Sequence, residues 1–257
     1  MADFSFLTEL PGSSITHDQL DRLCHRYYWA GSYCDGKIVI EAGCGAGPGL
    51  GYFSKYSRSV YAGDYTENIL QIAGKAHKDA NLVCFDAQHL PFKDNSADVL
   101  VIFEAIYYLP SIEQFLDECR RVLKSGGRLL ISTANKDLYD FHPSPYSHQY
   151  CGVVELHSLL SEHGFEVECF GYSSVFEMRW RQRLLRPFKK AAVSLGLIPS
   201  TLDGRKWIKR LVFGKMVHMP PSVVDGMVRY ETPKKLHNTR PDREHRVIYC
   251  AGILKGK

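Results

Sequence analysis

A glycine-rich segment, IEAGCGAGPG at residues 40–49, is the part of this 257-residue sequence best suited to binding chemistry. It directly follows an apolar run typical of a buried strand, and its glycines alternate at Gly43, Gly45 and Gly47. Glycine tolerates positive φ angles and lets a ligand approach the backbone without a Cβ clash. A helix opening beyond the turn would add free N–H groups and the positive end of its dipole. The segment therefore predicts a ligand-binding turn, and a merely tight strand-to-helix connection is the alternative.

Two acidic residues follow the turn at regular spacing. Asp64 lies 21 residues after Gly43 and ends the next apolar run, where a carboxylate can accept two hydrogen bonds from ribose hydroxyls. Asp86 lies another 22 residues on, in FDAQHLPF, and is placed to meet an adenine. The turn departs from the dinucleotide fingerprint G-x-G-x-x-G, because its sixth position is Pro48. A proline there disfavours a pyrophosphate held on the helix N-terminus.

The elements that must position these residues are read from alternating patterns. Short apolar runs rich in β-branched residues alternate with helical spacings, which predicts parallel βαβ units and an α/β fold. Thr16 is the expected N-cap of the first helix, and Gly126–Gly127 are expected to end the third. The predicted strands cover residues 37–43, 59–65, 81–87, 97–105, 127–133, 165–172 and 246–255. The predicted helices cover residues 16–33, 67–78, 111–124 and 153–163.

Five motifs follow one another in residues 37–135. They are E-x-G-x-G-x-G at Glu41–Gly47, the acid Asp64, D-A-x-x-L-P-F at Asp86–Phe92, the strand Asp98–Val101 and R-V-L-K-x-G-G at Arg121–Gly127. With these motifs, residues 37–135 resemble the core of a class I S-adenosylmethionine-dependent methyltransferase. The resemblance implies a Rossmann-like doubly wound sheet of seven strands, whose last strand, 246–255, runs antiparallel between the fifth and the sixth. It also implies S-adenosyl-L-methionine as cofactor and S-adenosyl-L-homocysteine as product.

The same resemblance implies roles in cofactor binding. The backbone of the glycine turn contacts the methionine part, Asp64 the ribose, and Asp86 with Ala87 the adenine. Arg26, on the helix before the first strand, either pairs with the methionine carboxylate or is a solvated side chain. Glu104 either faces the cofactor's amino-acid part or the active site, or is a satisfied carboxylate at a strand end. The expected cofactor-binding residues are Arg26, Glu41, Gly43, Cys44, Gly45, Gly47, Asp64, Tyr65, Asp86, Ala87 and Glu104.

Candidates for a general base follow from the chemistry of methyl transfer. The sulfonium makes the methyl carbon electrophilic, so the protein mainly aligns a nucleophile, and an alcohol acceptor benefits from a base. The catalytic candidates are Glu104 with His142 and His148, which flank two prolines after the fifth strand, although a plain surface loop is the alternative. Where many small-molecule methyltransferases read L-E-H-L, residues 106–109 read IYYL, and these tyrosines either stack on a ring or pack. No set of carboxylates and histidines has metal-ligand spacing, and we expect no metal.

Charge divides the chain unevenly, although its net value is only +4. Residues 1–177 carry 13 basic and 23 acidic side chains, whereas residues 178–257 carry 19 and 5. We therefore expect a core of 1–177 plus 246–257 and a basic, mostly helical lobe at 178–245. The lobe's basic helices suit an anionic membrane, contacted through 178–215, a phosphate-bearing substrate or RNA, or they form only a solvated lid.

The expected function is O-methylation of a sugar, glycan or other small molecule that is anionic or lipid-linked. A looser resemblance of residues 144–171 to methyltransferases of surface-polysaccharide biosynthesis places sugars first. The alternatives are a quinone- or polyketide-like lipid-soluble acceptor and, in another class, a non-catalytic cofactor-binding or RNA-associated protein. Nucleic acid is not expected as a partner, because no RNA-binding motif is recognisable. The oligomeric state stays open.

Composition and segment lengths also bear on location. An apolar content of 45% with 23% charged residues excludes a disordered chain. The sequence starts without a signal-like pattern, and no apolar run reaches the roughly 20 residues that a spanning helix needs. We therefore expect a cytoplasmic protein, with peripheral membrane contact left open.

Overall fold

The computed structural model describes residues 10–176 and 216–256. The strands are β1 (Ser14–Thr16), β2 (Ile38–Ala42), β3 (Ser59–Asp64), β4 (Asn81–Cys84), β5 (Ala97–Phe103), β6 (Leu123–Ala134), β7 (Phe165–Ser174), β8 (Met216–His218), β9 (Lys234–Lys235) and β10 (His245–Leu254). The main sheet contains all seven predicted strands and a short eighth strand, β9, at one edge, in the order β4-β3-β2-β5-β6-β10-β7-β9. The helices are α1 (His17–Cys34), α2 (Leu50–Tyr56), α3 (Glu67–Ala76), α4 (Ile112–Val122) and α5 (Val153–Glu162).

The strand directions confirm the expected α/β fold. Strands β2 to β6 are parallel neighbours, and β10 runs antiparallel between β6 and β7, with Tyr249 paired to Ser132. The carboxyl ends of parallel strands meet at one edge of a sheet, where ligands bind in this architecture. Gly43, Asp64 and Glu104 lie at that shared edge, because each ends or directly follows a strand.

Helices cover both faces of the main sheet. α1, α2 and α3 pack on one face, and α4 and α5 pack on the other, so that two apolar clusters are separated by the sheet. Phe53 of α2 and Phe115 of α4 are among the fully buried side chains of the two clusters. Burial on both faces explains why the central strands read as continuous apolar runs instead of alternating ones.

α1 begins where the sequence predicts. The Thr16 hydroxyl accepts a hydrogen bond from the backbone N–H of Gln19 (3.1 Å), and the Gln19 side chain accepts one from the Thr16 N–H (3.0 Å). This capping box satisfies two backbone donors that have no partner inside the helix. The N-cap at Thr16 is therefore confirmed.

The segment after α4 differs from the prediction. The helix ends at Val122 and β6 begins at once with Leu123, so Gly126–Gly127 lie inside the strand and do not end the helix. The carbonyls of Arg121 and Val122 accept hydrogen bonds from backbone N–H groups just before β5, at 2.9 and 2.8 Å. Because these carbonyls are satisfied from outside the helix, the chain turns into the strand without a glycine stop.

The predicted lobe is described only in part, because 178–215 lies outside the described residues. Within 216–245 the chain forms two short strands and no helix; β8 pairs with β1, and β9 pairs with β7. Met219 and Val223 are buried in the cluster of α1 and α2, and the Val223 N–H donates to the carbonyl of Pro48 (2.7 Å). This described part packs onto the core, while the lobe as a separate unit stays a prediction.

None of the helices in 10–176 and 216–256 combines the length and the apolarity that a bilayer crossing requires. All eight cysteines lie in these ranges as free thiols, and all except Cys84 are buried. They act there as small apolar side chains.

Candidate active site

The glycine turn between β2 and α2 has the backbone that the sequence predicts. Gly43, Gly45 and Gly47 have φ angles of +72°, +56° and +76°. The Gly43 N–H donates to the carbonyl of Gly63 on β3 (2.8 Å), which ties the turn to the neighbouring strand. A Cβ on Gly43 would lie 2.8 Å from the Cβ of Ala105, so the turn also lies directly against the end of β5.

Asp64 joins the end of β3 to this turn. One carboxylate oxygen accepts from the Gly45 N–H (3.0 Å) and the other from the Thr66 N–H (3.0 Å). Burial raises the pKa of Asp64, and the N–H donors around it partly offset that effect. The carboxylate is thus held at the turn, and in this structure each of its two oxygens accepts a hydrogen bond from a backbone N–H group.

Glu41 is a buried acid beneath the turn. It is 1% exposed, and the hydroxyl of Tyr27 donates to its Oε1 (2.9 Å). Its Oε2 is buried and has no hydrogen-bond partner among the described residues. Burial raises the pKa of Glu41 to about 7, and the hydroxyl of Tyr27 and the charge of Arg26 act in the opposite direction. A buried carboxyl oxygen without a donor suits a ligand that brings one.

Arg26 lies on the face of α1 that covers the turn. It is only 7% exposed, so the interpretation of a solvated side chain is wrong. Its guanidinium lies 5.5 Å from the ring centroid of Tyr27. The same ring lies so close to Gly49 that a Cβ there would be 1.8 Å from a ring carbon. Glycine at that position therefore lets α1 close over the turn.

The remaining expected cofactor residues lie at the ends of β3 and β4. Asp86 accepts from the backbone N–H of Gln88 (2.9 Å), which fixes the local turn after β4. Ala87 is buried, whereas Tyr65 is 37% exposed. Cys44 is buried inside the glycine turn. The structure brings these residues to the edge that carries Gly43–Gly47, and their contacts with a cofactor stay predictions.

Glu104, directly after β5, has a left-handed backbone with φ of +51°. Its N–H donates to the carbonyl of Ser132 on β6 (2.8 Å). The Ser132 hydroxyl donates to Glu104 Oε1 (3.0 Å), and the Tyr107 hydroxyl donates to Oε2 (3.2 Å). Such a backbone is strained in a non-glycine residue, and strain of this kind concentrates at functional sites.

The tyrosines that follow Glu104 pack on the segment after β6. Tyr107 is 8% exposed and stacks on Tyr150, with ring centroids 4.3 Å apart. The hydroxyls of Tyr108 and Ser144 are 3.3 Å apart. The packing interpretation is therefore confirmed for Tyr107, because its ring is buried and Tyr150 covers one of its faces.

The two histidine candidates lie on that same segment, and both are exposed. The backbone N–H of His148 donates to the carbonyl of Tyr107 (2.8 Å). The structure thus brings the backbone of His148, and not its imidazole, to the cluster around Glu104. The catalytic roles of His142 and His148 stay predictions.

His25 is a buried residue that the sequence did not single out. Its Nδ1 lies 2.9 Å from the hydroxyl of Tyr249, and its Nε2 lies 2.6 Å from the carbonyl of Glu231. Its ring stacks on Tyr172, and burial lowers its pKa to about 4. A neutral imidazole thus links α1 to β10 and to the segment after β8. The only signal in the sequence was its place beside Arg26 in an aromatic run.

Ser132 was also missed, because a serine inside an apolar strand carries no pattern of its own. In the described ranges, no cluster of His, Cys, Asp and Glu has the arrangement of metal ligands. The expected absence of a metal stays a prediction.

This chain is similar to known proteins both in sequence and in fold. Residues 40–131 match the family model of a methyltransferase domain. A probable S-adenosylmethionine-dependent methyltransferase of Mycolicibacterium smegmatis is 38% identical over 156 residues, which are 57% of this chain and 56% of that protein. A fatty-acid O-methyltransferase of the same organism is 35% identical over 124 residues, or 46% and 45% of the two chains. The chain therefore spans about half the length of these curated relatives.

The fold is shared with solved structures. The YcgJ protein of Bacillus subtilis aligns over 91% of this chain and 99% of its own, with a TM-score of 0.60 and 16% identity. That likeness concerns the fold alone. The matched model and the curated relatives confirm the resemblance expected from the sequence: over residues 40–131 this chain is similar to S-adenosylmethionine-dependent methyltransferases.

Proposed function

We propose that the protein transfers the methyl group of S-adenosylmethionine to an oxygen of a lipid-soluble small molecule. The observation that carries this proposal is the contact of the glycine turn with the end of β5, where Gly43 lies against Ala105. It puts the expected cofactor residues beside Glu104 and the tyrosines that follow it. One side of the edge then serves the cofactor and the other serves the acceptor.

The residues present fit the cofactor. The buried Oε2 of Glu41 has no donor in the described ranges, and the left-handed glycines leave room for a ligand at the backbone. Gly43–Gly47, Asp64 and Arg26 would hold the methionine and ribose parts. The cofactor supplies an electrophilic methyl group when it is bound. What remains for the chain is to orient the acceptor and to receive its proton.

The acceptor class rests on one relative and on surface chemistry. The relative named fatty-acid O-methyltransferase acts, by its name, on a lipid. In this chain Tyr139 and Tyr146, which follow β6, are 51% and 50% exposed. Aromatic side chains of this kind are common where proteins meet lipid headgroups. The basic segment 178–215 would add attraction to an anionic membrane, by its sequence alone.

A sugar or glycan hydroxyl is the second candidate. The ring pair of Tyr107 and Tyr150 favours it, because Tyr150 is only partly buried and aromatic rings commonly support sugars. A cytoplasmic site of action, whether at a membrane or not, stays a proposal as well.

Calorimetry with S-adenosylhomocysteine is the first test of the proposed function. Binding is expected, and no binding of either cofactor form would refute it. The protein is then incubated with S-adenosylmethionine and separated lipid and glycan extracts, and products one methylene heavier are sought by mass spectrometry. Products in the lipid fraction alone support the first candidate, and products in the glycan fraction alone support the second.

Vesicle sedimentation tests the membrane contact. The full chain is mixed with vesicles of phosphatidylcholine, with or without phosphatidylglycerol. Binding that needs the anionic lipid and weakens with salt is expected. Equal sedimentation with both vesicle types, or none, contradicts electrostatic membrane contact.

A further inference from the structure

The carboxylate of Glu104 is held by two donors from opposite directions. The Ser132 hydroxyl reaches it from β6 and the Tyr107 hydroxyl from the turn after β5. Burial raises the pKa of Tyr107 well above its ordinary value, so this hydroxyl keeps its proton and donates. Two donors on two oxygens fix both the position and the rotation of the carboxyl group. The strained backbone of Glu104 is compatible with such tight positioning.

The surroundings of Glu104 are hydroxyl-rich, and the charge of Arg26 acts on the same Tyr249 that the charge of Glu104 reaches. In the described ranges, Glu104 forms no ion pair with a lysine or arginine. Its charge contributes, after burial, to the raised pKa values of Tyr150 and Tyr249, which places both phenols near it. A carboxylate in this position repels a second negative charge and attracts a hydrogen-bond donor.

We propose that Glu104 is the general base that takes the proton of a neutral alcohol acceptor, with Ser132 and Tyr107 as its positioning residues. This inference rests on the proposed function and narrows it, because it excludes a carboxylate as acceptor. It also separates Glu104 from His142 and His148, whose imidazoles are exposed.

The step balances in atoms and charge. The acceptor oxygen forms a bond to the methyl carbon while the carbon–sulfur bond breaks, and the electron pair of that bond stays on sulfur. The hydroxyl proton passes to the Glu104 carboxylate and from there to solvent. An alcohol is a weak nucleophile, and a positioned base typically contributes 10²–10⁴-fold to such a reaction. A fatty acid is already ionised at neutral pH, so it would gain nothing from this base.

The first experiment compares 1-dodecanol with dodecanoate, each in the same neutral detergent micelles. Wild-type protein is expected to methylate the alcohol and not the acid. Glu104→Gln keeps the size of the side chain but cannot take a proton. It should lower kcat for the alcohol about 100-fold or more. Calorimetric affinity for S-adenosylhomocysteine distinguishes the two expected roles of Glu104. An affinity within about twofold of wild type supports the base, whereas a fall as large as the loss of rate would show that Glu104 holds the cofactor instead.

Removing the charge should also change which acceptor binds. In the presence of S-adenosylhomocysteine, Glu104→Gln should bind dodecanoate about tenfold more tightly than wild type does, because the like-charge repulsion is gone. The matched control is Glu166→Gln, an exposed carboxylate near the amino end of β7, at the opposite edge of the sheet. This control should leave both affinities and the rate unchanged.

The second experiment tests the positioning residues. Ser132→Ala and Tyr107→Phe should each lower kcat for the alcohol about tenfold, while KM and S-adenosylhomocysteine affinity change less than about twofold. Ser132→Thr keeps a hydroxyl donor and should recover most of the rate. Equal losses in Ser132→Ala and Ser132→Thr would show that only packing at this position matters, and would contradict its role.

The outcomes separate this inference from the proposed function. If wild type methylates dodecanoate and not 1-dodecanol, Glu104 is not the expected base, although the lipid acceptor survives. Glu104 is likewise excluded as the base if Glu104→Gln keeps its rate on the alcohol. If neither lipid is methylated but the cofactor binds and a glycan hydroxyl is a substrate, Glu104→Gln is assayed on that glycan. A rate about 100-fold lower than that of wild type supports Glu104 as the base, and an unchanged rate excludes it. If cofactor does not bind at all, the proposed function itself fails.

Discussion

The active-site edge of the sheet has two halves that are built differently. The glycine-turn half comprises residues 41–49, 64–66 and 86–88, and it is held mainly by backbone groups of neighbouring strands. The tyrosine half comprises residues 104–109 and 132–150, and it is held by side chains that meet across β5 and β6. Asp64 on the first half accepts from backbone N–H groups, whereas Glu104 on the second accepts from hydroxyls.

This difference indicates how each half is free to vary. A turn defined by backbone conformation tolerates few substitutions but needs only glycines at the right spacing. A side-chain cluster can be changed one group at a time, because each hydroxyl can be removed without altering the backbone. We infer that the first half fixes a shared cofactor and that the second sets the acceptor.

The largest expected effect comes from the turn itself. Gly43→Ala should lower the affinity for S-adenosylhomocysteine about 100-fold or more. A left-handed backbone costs an alanine about 1–2 kcal/mol, and its Cβ would collide with Ala105. Calorimetry measures the affinity. Gly126→Ala is the matched control, because Gly126 also has a positive φ (+74°) but has open space around it. If both variants bind equally well, the turn is not the cofactor site.

Acid should act in opposite directions on two buried groups, His25 of α1 and Glu41 of the glycine-turn half. Burial lowers the pKa of His25, which links α1 to β10, from 6.5 to about 4. Between these values the unfolded chain binds a proton that the folded chain does not, so His25 lowers the free energy of unfolding as pH falls. Burial raises the pKa of Glu41 from 4.5 to about 7, so below pH 7 the folded chain binds the extra proton. Glu41 therefore raises the free energy of unfolding as pH falls.

The measurement for this pair is urea unfolding of His25→Gln and Glu41→Gln between pH 7 and pH 4.5. Each pKa change corresponds to at most about 3 kcal/mol. Relative to wild type, His25→Gln should gain stability as pH falls, whereas Glu41→Gln should lose it. Parallel pH profiles of wild type and both variants would show that neither group titrates as its burial suggests.

Asp64 should have the next effect. Asp64→Asn keeps the shape but weakens the acceptor of the Gly45 and Thr66 N–H groups, and it removes the charge that ribose hydroxyls would meet. Loss of such charge-assisted hydrogen bonds costs about 1–3 kcal/mol, so S-adenosylhomocysteine affinity should fall about 10- to 100-fold. The control is Asp79→Asn, just before β4 at the other edge of the sheet, which should bind as wild type does. Unchanged binding by Asp64→Asn would remove it from the site.

The smallest effect is expected from the aromatic stack of the tyrosine half. Tyr150→Leu removes the stack with Tyr107 and should lower the free energy of unfolding by about 1 kcal/mol. KM for the acceptor should rise, while S-adenosylhomocysteine affinity should stay within about twofold. Tyr139→Leu, at a side chain that is 51% exposed, should change stability by less than about 0.5 kcal/mol. A cofactor affinity that drops in Tyr150→Leu would mean that the two halves are not independent.

Much of the fold was predictable from local patterns. The seven long strands and the start of α1 at Thr16 were correct, because apolar periodicity and capping residues act over a few positions. The short strands β1, β8 and β9 were missed, since two or three residues carry no period. The end of α4 was wrong because its last carbonyls are satisfied by residues before β5, about 26 positions earlier in the chain. No pattern in the sequence near the end of α4 indicates a hydrogen-bond donor so far away in the chain.

The sequence by itself determined the glycine-turn half of the site. Gly43, Gly45 and Gly47 adopt the left-handed backbone that their spacing predicted, because turn geometry is a local property. Asp64 lies beside them, because strands that follow one another in βαβ units commonly neighbour each other in the sheet. Only the tertiary structure decided the tyrosine half and the contact of α1 with β10. Ser132 reaches Glu104 across 28 positions, and His25 reaches Tyr249 across 224, since β10 returns from the far end of the chain to the middle of the sheet. Contacts between side chains so distant in sequence form only when the sheet assembles, and residue types alone do not encode them.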